Sequence, residues 1–150
     1  MSEWYPHVTV ATVIEEAGRF LMVEERDKGS GELVFNQPAG HVESGESLMA
    51  AALRETLEET AWRIELTGLL GIAMYSSPSN ATTYMRTTFI GTAIECKQDA
   101  SLDPDIQEVH WLDYESILAN SVKMRSPLVI DSVERYRAGI RYPLEFIYGP

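Results

Sequence analysis

Gly40-His-Val-Glu-Ser-Gly-Glu-Ser-Leu-Met-Ala-Ala-Ala-Leu-Arg-Glu-Thr-Leu-Glu-Glu-Thr-Ala-Trp62 reads as a turn that runs into a helix. Gly45 and Glu46 close a polar loop, Ser47 is placed to cap the helix, and the alanines and leucines that follow favour helical backbone. At about 100° per residue, Met49, Leu53, Thr56, Leu57 and Thr60 fall on one side, the expected core side. Glu55, Glu58 and Glu59 gather within an arc of roughly 100° on the other. A solvated acidic face is the ordinary reading of such a cluster. Three close glutamates repel one another, however, and only Arg54 offers local compensation, so a bound cation is expected. The donors are hard oxygens, and no Cys or His stands at a competing spacing, which favours Mg²⁺ or Mn²⁺ over Zn²⁺.

Gly40, Glu46, Arg54-Glu55 and Glu58-Glu59 reproduce the Nudix box, G-x5-E-x7-R-E-U-x-E-E-x-G-U with U apolar, so the chain resembles the Nudix hydrolase family. Thr56 stands at an apolar position and Ala61 replaces the second glycine. The second departure bears on the helix end, because alanine reaches positive φ only with strain. Pro6-His7-Val8-Thr9-Val10-Ala11, Asn36-Gln37-Pro38-Ala39-Gly40-His41, Arg125-Ser126-Pro127-Leu128-Val129 and Arg141-Tyr142-Pro143-Leu144-Glu145 look like the bacterial Nudix phosphatases. Those enzymes release orthophosphate from nucleoside di- and triphosphates and from a pyrimidine pyrophosphate of thiamine synthesis.

The resemblance implies a single α/β domain over residues 1–150, an α/β/α sandwich with a mixed sheet, and phosphoanhydride hydrolysis with Mg²⁺ (or Mn²⁺). It implies Glu55, Glu58, Glu59 and the Ala39 carbonyl as metal ligands, with Gly40, Glu46 and Arg54 as structural parts of the box. It further implies a base, either Glu55 or a glutamate outside the box matched to Glu108, with Glu95, Asp103 and Asp105 as rivals. An ADP-ribose or other nucleoside diphosphate sugar pyrophosphatase is the alternative; Pro78 stands sixteen residues past Trp62, near where that group places a proline. A third reading, a nucleotide-sensing module that does not cleave, fits less well because such modules often lose the box glutamates.

The net charge of −11 argues against nonspecific binding to nucleic acid or an anionic membrane. Lys123, Arg125, Arg135, Arg137 and Arg141 outnumber Asp131, Glu134 and Glu145 in the last thirty residues, a local balance of +2. Lys123 and Arg125 are therefore candidates to hold a small-molecule phosphate. Arg86 is another, since a cation inside a strand is costly without an anion or solvent; a surface ion pair is its plain alternative. With one cysteine, no signal-like N-terminus and no apolar run long enough to span a bilayer, the chain reads as soluble and cytoplasmic. Nothing in it selects between a monomer and a homodimer.

Periodicity supplies the remaining elements. Val8 to Glu15 and Arg19 to Glu24 form a hairpin about Ala17-Gly18, and Leu33 to Phe35 is a short strand ended by Pro38. Pro38 and Gly40 allow the Ala39 carbonyl to point out of a ladder. Two strands flank Ser77-Pro78-Ser79-Asn80, and a strand through Glu108 to Leu112 leads into a helix capped by Asp113. A last helix starts at Pro127 and runs to Ala138.

Overall fold

The first hairpin forms where the β-branched runs predict it. In the computed structural model, which describes residues 3–149, β1 (His7–Glu16) turns at Ala17 and Gly18, both at positive φ, into β2 (Arg19–Arg26). The chain continues through β3 (Leu33–Asn36), β4 (Ala39–His41), α1 (Leu48–Thr60), β5 (Trp62–Ser76), β6 (Thr83–Cys96) and β7 (Ile106–Asp113). It closes with α2 (Tyr114–Ala119) and α3 (Pro127–Arg137). Asp113 and Ser126 cap these last helices through side-chain bonds to Ser116 N and Leu128 N.

Among the described residues, seven strands make one mixed sheet in the order β3-β2-β1-β6-β5, with β4 added on β1 and β7 on β2. β1 runs parallel to β6, while the other pairs are antiparallel. Alternation sends successive side chains to opposite faces. Val10, Leu69 and Phe89 meet Ala51 and Ala52 of α1 on one face; Val13, Leu70 and Ile90 meet Ile117, Val129 and Val133 of α2 and α3 on the other. Helices on both faces give the α/β/α sandwich. Among the described residues, no helix is long and apolar enough to cross a membrane.

Ser47 caps α1 by accepting from Ala50 N at 3.1 Å. The buried side of α1 is rotated from the one the helical wheel suggests: Leu53 is 40% exposed, while Glu59 is only 6% exposed. Ala51 and Ala52 are small enough to bring the helix close to β1 and β6. Thr56 and Thr60 can then be buried because their hydroxyls donate to Ala52 O (2.9 Å) and Thr56 O (2.6 Å). That rotation carries Glu59 toward the free edge of β4.

α1 ends at Ala61 in the left-handed conformation, φ 64°, with its N–H bonded to Leu57 O. The geometry usual for glycine is thus adopted by alanine at a cost of about 1 kcal/mol. Ala61→Gly should therefore raise the unfolding temperature by about 2–4 °C, checked by thermal denaturation. The C-terminal segment packs back in part. Tyr142 bridges to Leu69, and Leu144 and Ile147 join the core beneath α1, but Phe146 and Tyr148 are exposed.

Candidate active site

The site is built where β4 leaves its edge open beside α1. Thr12 N donates to Pro38 O (3.1 Å) and Val42 N to Val8 O (3.0 Å). Alternation along this antiparallel pair makes Val10 and Gly40 a hydrogen-bonded pair, so the N–H and C=O of Ala39 and His41 point away from β1. The Ala39 N–H donates to Glu59 Oε1 at 2.9 Å, and the His41 carbonyl accepts from Arg54 Nη2 at 3.1 Å. The Ala39 carbonyl faces the same open edge. Gly40 is required for close approach, because a Cβ there would lie 2.2 Å from Glu55 Cδ.

Arg54 organises the carboxylates. It grips Glu46 with Nε (2.6 Å) and Nη2 (2.9 Å), and its Nη1 donates to Glu55 (2.8 Å) and Glu58 (3.1 Å). These bonds hold the Glu46 carboxyl down at about 2 and raise the Arg54 guanidinium further. Among the described residues, Glu59 has no such basic partner. Burial, then the charges of Glu25, Glu55 and Asp103, push its carboxyl up to about 9, against the opposing hydrogen bond from Ala39. Burial likewise raises Glu55 and Glu25, in each case against a neighbouring arginine.

A cleft of about 370 Å³ opens beside these groups. Arg86 lies in its wall, 8% exposed, with Nη2 donating to Gln37 Oε1 (2.6 Å) and Nη1 to Asn36 Oδ1 (3.3 Å). It is thus not a surface pair. Among the described residues its Nε has no hydrogen-bond partner, and burial lowers its pKa to about 10 although Glu25 and Glu59 oppose the shift. Gln37 is fixed in turn by donating to Val129 O at 2.8 Å. Arg125 borders the cleft and binds Glu25 Oε1 at 3.0 Å. His41 also lines it, its imidazole shifted down by burial and by the charges of His7 and Arg125.

Two sequence candidates sit elsewhere. Lys123 is exposed on the turn before α3 and does not line the cleft. Glu108 pairs with Glu24 across β7 and β2, and its side chain, 64% exposed, stands 3.7 Å from His110. Glu25 follows Glu24 in β2 and so points to the opposite face, where its charge acts on Glu59. The carboxylates outside the helix that act on Glu59 are therefore Glu25, which the sequence reading missed, and Asp103, whose N–H also donates to Glu58 O (2.9 Å). Glu24, Glu108 and His110 form a separate group whose ligand atoms lie within 4.8 Å of one another. The C-terminal cations are mostly used for packing: Arg135 and Arg141 donate to Leu70 O and Thr67 O, and Arg137 covers the Tyr114 ring.

Residues 5–132 match the model of the NUDIX domain family. The chain is 41% identical over 145 residues to "Phosphatase NudJ" of Escherichia coli (strain K12), covering 95% of this chain and 90% of that protein. It is similar to a solved NUDIX hydrolase from Nitrosomonas europaea with TM-score 0.94 and 42% identity, covering 97% and 98% of the two chains. A MutT protein from Methanosarcina mazei Go1, at TM-score 0.73 and 23% identity over 92% of this chain and 98% of its own, shares the fold. With the box glutamates assembled beside a cation-lined cleft, these matches show that the chain belongs to the NUDIX hydrolase family, enzymes that hydrolyse pyrophosphate linkages.

Proposed function

We propose that the chain hydrolyses a phosphoanhydride bond in nucleoside di- or triphosphates, or in a small pyrophosphate ester such as the thiamine pyrimidine pyrophosphate, and releases orthophosphate. The observation that carries this reading is Glu59: a buried carboxylate, crowded by Glu25, Glu55 and Asp103, beside a cleft bordered by Arg86 and Arg125. Crowded buried carboxylates are stable as anions only when positive charge joins them. The donor set fits Mg²⁺ or Mn²⁺, being entirely oxygen: Glu55, Glu58, Glu59 and the outward Ala39 carbonyl. When bound, such an ion neutralises the diphosphate and lowers the pKa of the attacking water.

The chain's own groups do the rest. Arg54 fixes the directions of Glu55 and Glu58. Arg86, locked by Gln37 and Asn36, presents its guanidinium to phosphate oxygens, and Arg125 approaches from the start of α3. Glu55, with a carboxyl raised by burial, accepts the water proton. Glu108 is not given that role because it lies on the other face of β2 and β7. The name of the relative, a phosphatase, supports orthophosphate as the product.

The test is to incubate purified protein and Mg²⁺ with GTP, GDP, ADP-ribose and the thiamine pyrimidine pyrophosphate, and to resolve the products. Orthophosphate from the nucleotides or the pyrimidine ester is the expected outcome. AMP with ribose phosphate from ADP-ribose alone would replace this reading by a nucleoside diphosphate sugar pyrophosphatase, and tight nucleotide binding without product would make the chain a sensor.

A further inference from the structure

β5 is the outer strand of the sheet, and only part of its free edge is covered. Tyr142 and Leu69 exchange both backbone hydrogen bonds at 2.8 Å, and Arg141 and Arg135 donate to Thr67 O and Leu70 O. This cover stops at Gly71, where a Cβ would lie 3.0 Å from Arg135 Nη2. Among the described residues, Ile72–Ser76 pair with β6 alone. That segment therefore presents unpaired backbone N–H and C=O groups along the outside of the sheet.

Proteins blunt such edges with charge, proline or a bulge. Here the last irregularity of β5 falls between Leu69 and Gly71, ahead of the open segment, which holds no charge and no proline. Leu66 to Met85 is the longest stretch of the chain without Asp, Glu, Lys or Arg, in a protein of net charge −11. The side chains beside the edge are apolar. Ile72 is 60% exposed and Met74 55%, and Met74, Met85 and Val8 stand side by side across β5, β6 and β1.

We infer that Ile72–Ser76 is a docking edge for a second copy of this chain, paired antiparallel about a two-fold axis so that the sheets of two protomers join. Two features select a copy of the same chain. An antiparallel ladder about a two-fold axis is self-complementary, because each residue that meets another is met by it in turn. Two chains that each carry −11 repel, and this uncharged edge lets them meet without setting acid against acid. A basic partner would be steered to the acidic surfaces instead. The interface is short, so the dimer is reversible and not obligate. Tyr75, Ser77, Ser79 and Asn80 line the cleft, which places the second copy at its rim.

Sedimentation equilibrium of the full chain tests the pairing. Wild type should pass from monomer to dimer as its concentration rises from about 1 to about 200 μM. Ile72→Glu combined with Met74→Glu acts on both sides of the axis, and should raise the dissociation constant at least about ten-fold. Both positions are exposed, so the circular dichroism spectrum should not change. Leu118→Glu, at an exposed apolar position on α2, should leave the equilibrium as in wild type. A second measurement needs no substitution: hydrogen exchange at the amides of Ile72–Ser76 should slow as wild-type concentration rises, and exchange in the loop Asp27–Gly31 should not. A monomer at every concentration, a dimer that the double variant leaves intact, or concentration-dependent protection confined to another surface overturns the proposal. Growth past the dimer also overturns it, because it would mean open head-to-tail pairing in place of the two-fold.

Discussion

Glu59→Gln should lower Mg²⁺-dependent turnover by more than about 100-fold, since loss of even a group supporting a metal ligand typically costs 10- to 100-fold. The amide keeps the size of the side chain and can still accept from the Ala39 N–H, so the fold is retained. The same change should stabilise the metal-free protein at alkaline pH. Glu59 has its carboxyl near 9 in the fold and near 4.5 when exposed. Between those values the folded state holds a proton that the unfolded chain has released. Its contribution to stability is thus fully present below about 4.5 and is lost as pH rises through about 9, on the order of several kcal/mol. Unfolding in urea, followed from pH 6 to 9 without metal, should show a falling stability for wild type and a flatter profile for Glu59→Gln. Glu25 and Glu55, also raised, leave some slope of the same sign. Equal slopes for the two proteins would show that Glu59 is not the strained group.

Gly40→Ala is the second large effect, and it acts through Glu55. The new methyl would lie 2.2 Å from Glu55 Cδ and 2.4 Å from each oxygen, so the carboxylate must move. Arg54 holds that carboxylate at 2.8 Å and resists the displacement. A shift of about 1 Å in a reacting group costs around 100-fold, the expected loss in kcat. Gly45→Ala is the control. Its φ of +80° makes alanine strained, yet no atom of another described residue beyond its chain neighbours lies within 4 Å of the added methyl. It should cost about 1 kcal/mol in stability and leave kcat near wild type. Turnover and thermal denaturation of both variants separate the two cases; similar kcat values would remove Gly40 and Glu55 from the site's geometry.

The sequence was most informative where local chemistry decides the outcome. Ser47, Asp113 and Ser126 cap helices because their side chains reach nearby N–H groups, and Pro127 opens α3 where its missing donor is harmless. An outward Ala39 carbonyl was expected from a bend at Pro38 and Gly40, but Ala39–His41 is strand β4 in a ladder with β1, and it is the alternation of that pair that turns the Ala39 groups outward. Burial of Glu59 was not legible, because a helical wheel groups Glu55, Glu58 and Glu59 and knows nothing of the β4 edge that receives one of them. Glu25 carried no local mark either. Glu24-Glu25-Arg26 looks like any polar strand end, and alternation says that Glu24 and Glu25 diverge without saying which one meets α1. The C-terminal cations show the same limit: composition counts Arg135 and Arg141 in the local positive balance, while packing commits them to carbonyls of β5.

The central claim is that a divalent cation is held between α1 and the open edge of β4. Titrating the metal-free protein with Mn²⁺ and following the free ion by electron paramagnetic resonance tests it directly. The account predicts Mn²⁺ binding that Mg²⁺ displaces, that Glu59→Gln and Glu55→Gln weaken at least about ten-fold, and that Glu108→Gln leaves unchanged. Binding insensitive to Glu59 and Glu55 but lost in Glu108→Gln would contradict it, and would put the ion at the group formed by Glu24, Glu108 and His110.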